Sequence, residues 1–286
     1  MTRRGAVKAL VVTAVLVVGG LWMMDSVVRS MLYPAPPVRV PSPPPSPLVE
    51  VPLEAGGRAV SAWYRPPTGG ATTDAAHAVS TAPLVLWLHG NGENLETMRQ
   101  GGLFEDLSTS GAGVLAIDYP GYGRSPGTPS EAANVAAAKA AWQWMQHHRD
   151  GRPLVIAGWS LGAAVATQLA AAHRDEVAGV MLLSAWDRLD AVARLHFPGW
   201  MVGALLSERY DSTAAAPRIT VSKLVVHGDR DTIIPIELGR HLFAALPEPK
   251  QWVEVPGAGH NDLLSRPEAW QAIHAFLADR SARPVG

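Results

Sequence analysis

The chain has 286 residues, 48% of them apolar and 17% charged, with a formal net charge of −1. That balance provides core for one α/β domain of ordinary size and gives no electrostatic reason to bind nucleic acid or an anionic surface. The absence of cysteine excludes a disulfide scaffold, a thiolate metal site and an acylated lipoprotein terminus.

At the N-terminus, Thr2-Arg3-Arg4 and Lys8 precede Ala9–Met24, sixteen residues without a charge. A helix over them spans about 24 Å, and Lys8 can snorkel to lengthen its reach. No A-x-A cleavage site follows the apolar run, so residues 1–30 are expected to be an uncleaved membrane anchor, with a signal segment as the alternative. The basic flank orients the catalytic domain outside the cytoplasm, in an inner-membrane or periplasm-type location; signal cleavage would instead export it. Residues 31–47 follow, with eight prolines in the fourteen positions Pro34–Pro47. They are expected to be a linker in polyproline II, with a reach of about 40 Å.

Residues 48–286 alternate strands and helices. Leu48–Leu53 and Arg58–Tyr64 read as a hairpin around Glu54-Ala55-Gly56-Gly57. Apolar strands recur near residues 84–89, 113–118, 153–158, 178–184, 222–227 and 250–255. Helical stretches include Ser130–His148, Leu161–His173, Glu237–Leu246 and Pro267–Ala278. This order predicts an α/β fold, a mostly parallel eight-stranded sheet with helices on both faces. Residues 184–221 interrupt the rhythm with Leu195-His196-Phe197-Pro198-Gly199-Trp200-Met201-Val202. Two readings stand for this short cap insertion: an apolar substrate pocket, or a helical connection packed on the core.

The chemistry concentrates where strands end. Gly158-Trp159-Ser160-Leu161-Gly162 follows an apolar strand and opens a small-residue helix, the context of a nucleophile elbow. A serine in so sharp a turn needs glycine on both sides, and needs a base and an orienting acid to become nucleophilic. The strand at 222–227 runs into His227-Gly228-Asp229-Arg230-Asp231, with two candidate acids. Asp231 is favoured because it stands at the far side of the loop, before Thr232-Ile233-Ile234-Pro235; Asp229 reads as a turn residue. The strand at 250–255 empties into Gly257-Ala258-Gly259-His260-Asn261-Asp262, which makes His260 the candidate base. The other histidines fall on helices, in loops, in the insertion or, for His227, at a strand end suited to a structural hydrogen bond. Leu84–Leu88 leads into His89-Gly90-Asn91-Gly92-Glu93-Asn94, the place from which this architecture draws its second oxyanion donor. The donors are assigned as the backbone amides of Asn91 and Leu161, with His89 stabilising the loop. Asp118-Tyr119-Pro120-Gly121-Tyr122-Gly123-Arg124-Ser125 follows another strand, and Asp118 and Arg124 are expected to be mainly structural.

His89–Asn94, Asp118–Ser125, the elbow and Gly257–Asp262, in that chain order, resemble the α/β-hydrolase superfamily, and within it the Bem46-like and ABHD12/ABHD13-like group related to serine aminopeptidase-type hydrolases. The resemblance spans roughly residues 48 to 280, and in its G-x-x-D-x-x-hydrophobic-P turn the aspartate falls on Asp231. Asn91-Gly92-Glu93 departs from it, since relatives often carry alanine or glycine after the asparagine. It implies a serine hydrolase acting on a carboxylic acyl ester or lipid-like small molecule, with Ser160, Asp231 and His260 as the triad and no cofactor or metal. The same triad serves amide and peptide hydrolases, and a membrane-tethered domain that binds a lipid or partner without turnover is a reading from another class.

Overall fold

The structure is a computed structural model that describes residues 26–68 and 82–281. Eight strands form one sheet in the order β1-β4-β6-β5-β7-β8-β9-β10. β1 (Val49–Glu50) and β4 (Ala62–Arg65) supply the antiparallel edge, and β4 joins the parallel strands by pairing with β6 (Gly113–Ile117). The rest run parallel: β5 (Leu84–Leu88), β7 (Leu154–Trp159), β8 (Gly179–Leu183), β9 (Lys223–Gly228) and β10 (Lys250–Val255).

The central strands are apolar at every position because both faces are covered, and their side chains alternate between two cores. Leu84, Leu86, Leu88, Leu154, Ile156, Val180 and Leu182 pack against α4 (Glu131–His148) and α5 (Leu161–Ala172). Val85, Trp87, Val155, Ala157, Met181 and Leu183 face α2 (Leu95–Gln100), α3 (Leu103–Ser108) and α10 (Pro267–Ser281). Helix starts follow local chemistry. Asn94 caps α2 by accepting from Thr97 N–H (2.9 Å) while its own N–H donates to Thr97 Oγ1 (2.8 Å), and Ser130 Oγ caps α4.

The hairpin expected over residues 48–65 forms in one register, from Val49 opposite Tyr64 to Ala55 opposite Arg58, with its ladder interrupted only at Pro52 and Ser61. β2 (Leu53–Ala55) and β3 (Arg58–Val60) form its outer part, closed by Gly56 and Gly57 at φ +58° and +74°. Val51 N–H donates to Ala62 O, so position 52 points away from β4 at the sheet edge, where a proline costs no ladder bond; beyond it β2 lies on α4.

A correction concerns residues 31–47. They are not a free spacer but run along the domain: Tyr33 and Val40 are buried, Leu32 O accepts from Asn91 Nδ2, and Val38 O accepts from Asn94 Nδ2 at 2.8 Å. Asparagine amides on the domain satisfy the carbonyls of a proline-rich strand that cannot pair them through a ladder of its own. A helical segment, α1 (residues 26–32), precedes this arm. Among the described residues no helix is long and apolar enough to cross a membrane. The anchor expected within residues 1–30 lies, up to residue 25, outside the described residues.

Between β8 and β9 the chain forms α6 (Leu189–His196), α7 (Gly199–Leu205) and α8 (Ser212–Ala215). α9 (Ile236–Ala245) then leads to β10. Side chains of the 184–221 segment stand over the carboxyl ends of the strands, where open α/β sheets hold their ligands.

Candidate active site

The turn from β7 to α5 places Ser160 at φ +54°, ψ −114°, a strained conformation for a residue with a β-carbon. The flanking glycines make the turn sterically feasible. A Cβ on Gly158 would sit 2.2 Å from Gly162 O, and one on Gly162 only 1.9 Å from Leu88 O. The helix therefore starts against the strand next door. Its first amide, Leu161 N–H, has no acceptor among the described residues and sits at the positive end of α5.

Asp231 and His260 meet as expected. His260 Nδ1 lies 2.7 Å from Asp231 Oδ2, and an ionised carboxylate only accepts, so Nδ1 carries the proton and Nε2 is free to accept one. Asp231 Oδ1 takes the backbone N–H groups of Ile233 (3.0 Å) and Ile234 (2.7 Å). Burial alone would raise the Asp231 carboxyl; hydrogen bonding to His227 and His260 and to the Ile234 amide outweighs it and holds the group ionised, well below the usual range. Asp229 does not bond its own turn but reaches the neighbouring loop, where its Oδ1 accepts Gly257 N–H at 2.6 Å. The His260 loop is fixed by Gly259 N–H donating to Asp262 Oδ1 (2.7 Å) and by Gly228, where a Cβ would meet Ala258 O at 2.2 Å. His227 makes the structural bond expected of it, from Nε2 to Ile234 O (2.9 Å).

Ser160, Leu161, Asn91 and His260 all line one cavity of ≈ 280 Å³. The Ser160 hydroxyl makes no hydrogen bond to a described residue, a looseness common when no substrate aligns the pair. Asn91 N–H likewise has no acceptor among the described residues, so two residues lining the serine's cavity carry free backbone donors. The loop carrying Asn91 is braced from behind. Buried His89 donates from Nδ1 to Gly90 O (2.7 Å), and desolvation lowers it to about 4, leaving it neutral and no second base. Tyr119 and Tyr122 do not line the cavity; they pack on the His89 ring, and the Tyr122 hydroxyl donates to Asn91 Oδ1 (2.5 Å). Glu93 Oε2 accepts Gly90 N–H at 2.8 Å, a latch within the segment that departs from the relatives' pattern.

Asp118 is structural, as expected, accepting Leu95 N–H at 2.8 Å at the start of α2 and filling the space a Cβ on Gly123 would need. Trp159, between the glycine and the serine, stacks on the His260 ring with centroids 5.3 Å apart. Sequence reasoning missed several wall residues. Met31, Leu32 and Tyr33 reach the cavity from the segment expected to be linker, and His196 reaches it from α6. The proline run hid the first group, because its composition reads as unpacked chain; the apolar Met31-Leu32-Tyr33 just before it was the available signal.

Comparisons with known proteins agree with this architecture. Residues 83–209 match the family model described as alpha/beta hydrolase fold. An uncharacterized protein of Mycobacterium tuberculosis, Rv2307c, is 34% identical over 98% of this chain and 97% of its own length. Lysophosphatidylserine lipase ABHD12 of Danio rerio is 31% identical over 57% of this chain and 47% of its own. Among solved structures, the Pyrococcus furiosus esterase Pf2001 superposes with a TM-score of 0.65 at 18% identity, covering 88% of this chain and all of that one. A strand–elbow–helix unit set in an eight-stranded sheet of this order, together with a full-length relative at this identity, makes the chain a member of the α/β-hydrolase superfamily and a hydrolase.

Proposed function

We propose that the protein is a serine hydrolase that cleaves a carboxylic ester through an acyl-enzyme on Ser160. The observation that carries this reading is the His260–Asp231 hydrogen bond of 2.7 Å, which holds imidazole Nε2 as an acceptor in the cavity that also contains Ser160. Ser160 Oγ bonds to the carbonyl carbon as its proton passes to His260 Nε2. The oxyanion is held by the amides of Asn91 and Leu161, and Asp231 balances the charge on the imidazolium. The C–O bond to the leaving alcohol then breaks, with His260 returning the proton to that oxygen. Water attacks the acyl-enzyme by the same route and releases the acid.

The esterase and lipase names among similar proteins support an ester substrate. So does the cavity, which is lined mainly by apolar side chains and, among the described residues, by no carboxylate to hold the free amine of an aminopeptidase substrate. The N-terminal apolar stretch is read as an anchor that keeps the domain on the outer side of a membrane, which protease accessibility in intact cells would test. The function itself is tested with a fluorophosphonate probe and p-nitrophenyl butyrate on the full chain, beside an aminoacyl anilide. Wild type should label and turn over the ester, and Ser160→Ala should do neither while keeping its thermal transition. Labelling of Ser160→Ala equal to wild type, or turnover of the anilide alone, would overturn the reading.

A further inference from the structure

Next to the catalytic cavity lies an apolar cleft between α1 and the cap helices. Val28 and Met31 form one wall; Phe197, Met201 and Val202 form the other. The two spaces are continuous in their lining, since Met31, Leu32, Ala193 and Phe197 border both. Among the described residues no charged side chain lines the cleft. Water held there finds almost no polar partner, so an apolar chain is the occupant that the lining favours.

The wall on the α1 side is built into the domain. The Arg29 guanidinium pairs with Glu208 of the cap segment at 3.0 Å and also donates to Pro129 O at 3.1 Å. The Tyr33 hydroxyl lies 3.1 Å from that of Tyr210, and Tyr210 in turn accepts from Asn134 Nδ2 at 3.1 Å. Leu32 O takes the side-chain amide of Asn91, so the segment that borders the cleft also ties down the loop carrying a proposed oxyanion donor. Exposed large apolar side chains occur on the elements that form the cleft. Val27 (52% exposed) and Met31 (53%) lie on α1, and Leu195 (49%) and Trp200 (75%) lie on the cap. Of these, Met31 borders both the cleft and the catalytic cavity.

We propose that this cleft is the acyl-chain subsite, that residues 28–32 of the N-terminal segment form one of its walls, and that the substrate carries a long unbranched acyl chain. The proposal rests on the ester-hydrolase reading: the carbonyl sits at Ser160 and the chain runs between α1 and α6–α7. It makes the segment next to the expected anchor a determinant of specificity, beyond any tethering role.

The test uses the full chain in phosphatidylcholine vesicles, with kcat/KM measured for p-nitrophenyl myristate and p-nitrophenyl butyrate. Val28→Trp fills the cleft from the α1 side and Val202→Trp from the cap side, so a folding failure of one leaves the other. Each should lower the myristate-to-butyrate ratio by about tenfold or more, the effect of excluding roughly two methylenes from an apolar site. An unchanged ratio in both folded variants, with butyrate still turned over, overturns the subsite alone. Failure of wild type to hydrolyse either ester removes the hydrolase reading, and the subsite with it. If only Val202→Trp lowers the ratio, the cleft binds the chain but the N-terminal wall does not contribute, and that part of the proposal falls.

Discussion

Replacing Asp231 by asparagine tests the site most sharply, because the structure dictates how the new amide must lie. Oδ1 of Asp231 accepts two backbone N–H groups, from Ile233 and Ile234, and only a carbonyl oxygen can fill that place. The amide nitrogen is therefore forced into the position of Oδ2, 2.7 Å from His260 Nδ1. A donor there requires Nδ1 to accept, which shifts the imidazole proton to Nε2 and leaves nothing to take the proton of Ser160. Where such a tautomer error has been introduced into a triad, kcat drops by about 10⁴, or about 5.5 kcal/mol of transition-state stabilisation. The assay is steady-state hydrolysis of p-nitrophenyl butyrate by the full chain, with the thermal transition as the check on folding. Asp229→Asn is the matched control: its own carbonyl can keep the Gly257 N–H bond, so kcat should stay within about threefold of wild type. If Asp231→Asn keeps more than about a tenth of wild-type kcat, or Asp229→Asn loses as much as it does, the tautomer argument is wrong.

Two further outcomes follow from the same geometry. Gly162→Ala pushes a methyl to 1.9 Å from Leu88 O, a backbone atom that cannot swing aside, so the transition temperature should fall by about 10 °C and esterase activity with it. Gly203→Ala, whose new methyl meets nothing within 4 Å, should not fall, and equal melting of the two would sink the packing argument. Burial pushes the Glu93 carboxyl up to about 7, the hydrogen bond from Gly90 only partly offsetting it. The folded state thus holds a proton that the unfolded state has released, so the stability this side chain contributes is present at low pH and lost as pH rises through about 7. Glu93→Gln does not titrate, and its transition temperature relative to wild type should climb between about pH 5 and about pH 8. A difference that stays flat with pH would show that Glu93 is ionised in the folded protein throughout.

Much of the molecule was legible before any coordinates. Continuous apolar runs such as Leu84–Leu88 and Leu154–Ala157 announce strands covered on both faces, because a strand with one wet face alternates. Gly158 and Gly162 announce the elbow, because only hydrogen fits where Gly162 O and Leu88 O approach. The hairpin over residues 48–65 is legible too, since Gly56-Gly57 supplies the turn and the flanking strands pair in one register; that its outer part lies on α4 is a tertiary contact. The arm over residues 31–47 was misread, because proline content describes the stiffness of a chain and says nothing of the surface it lies on.

Local pattern and strand-end chemistry thus settled the fold, the elbow and the residues offered as base and acid, since each depends on neighbours close along the chain. Convergence is another matter. That Asp231 rather than Asp229 meets His260, that Leu32 braces Asn91, and that α1 and the cap enclose an apolar cleft beside Ser160 are contacts between residues far apart in the chain. Such contacts depend on how the sheet twists and where loops land, and only the folded packing decides them.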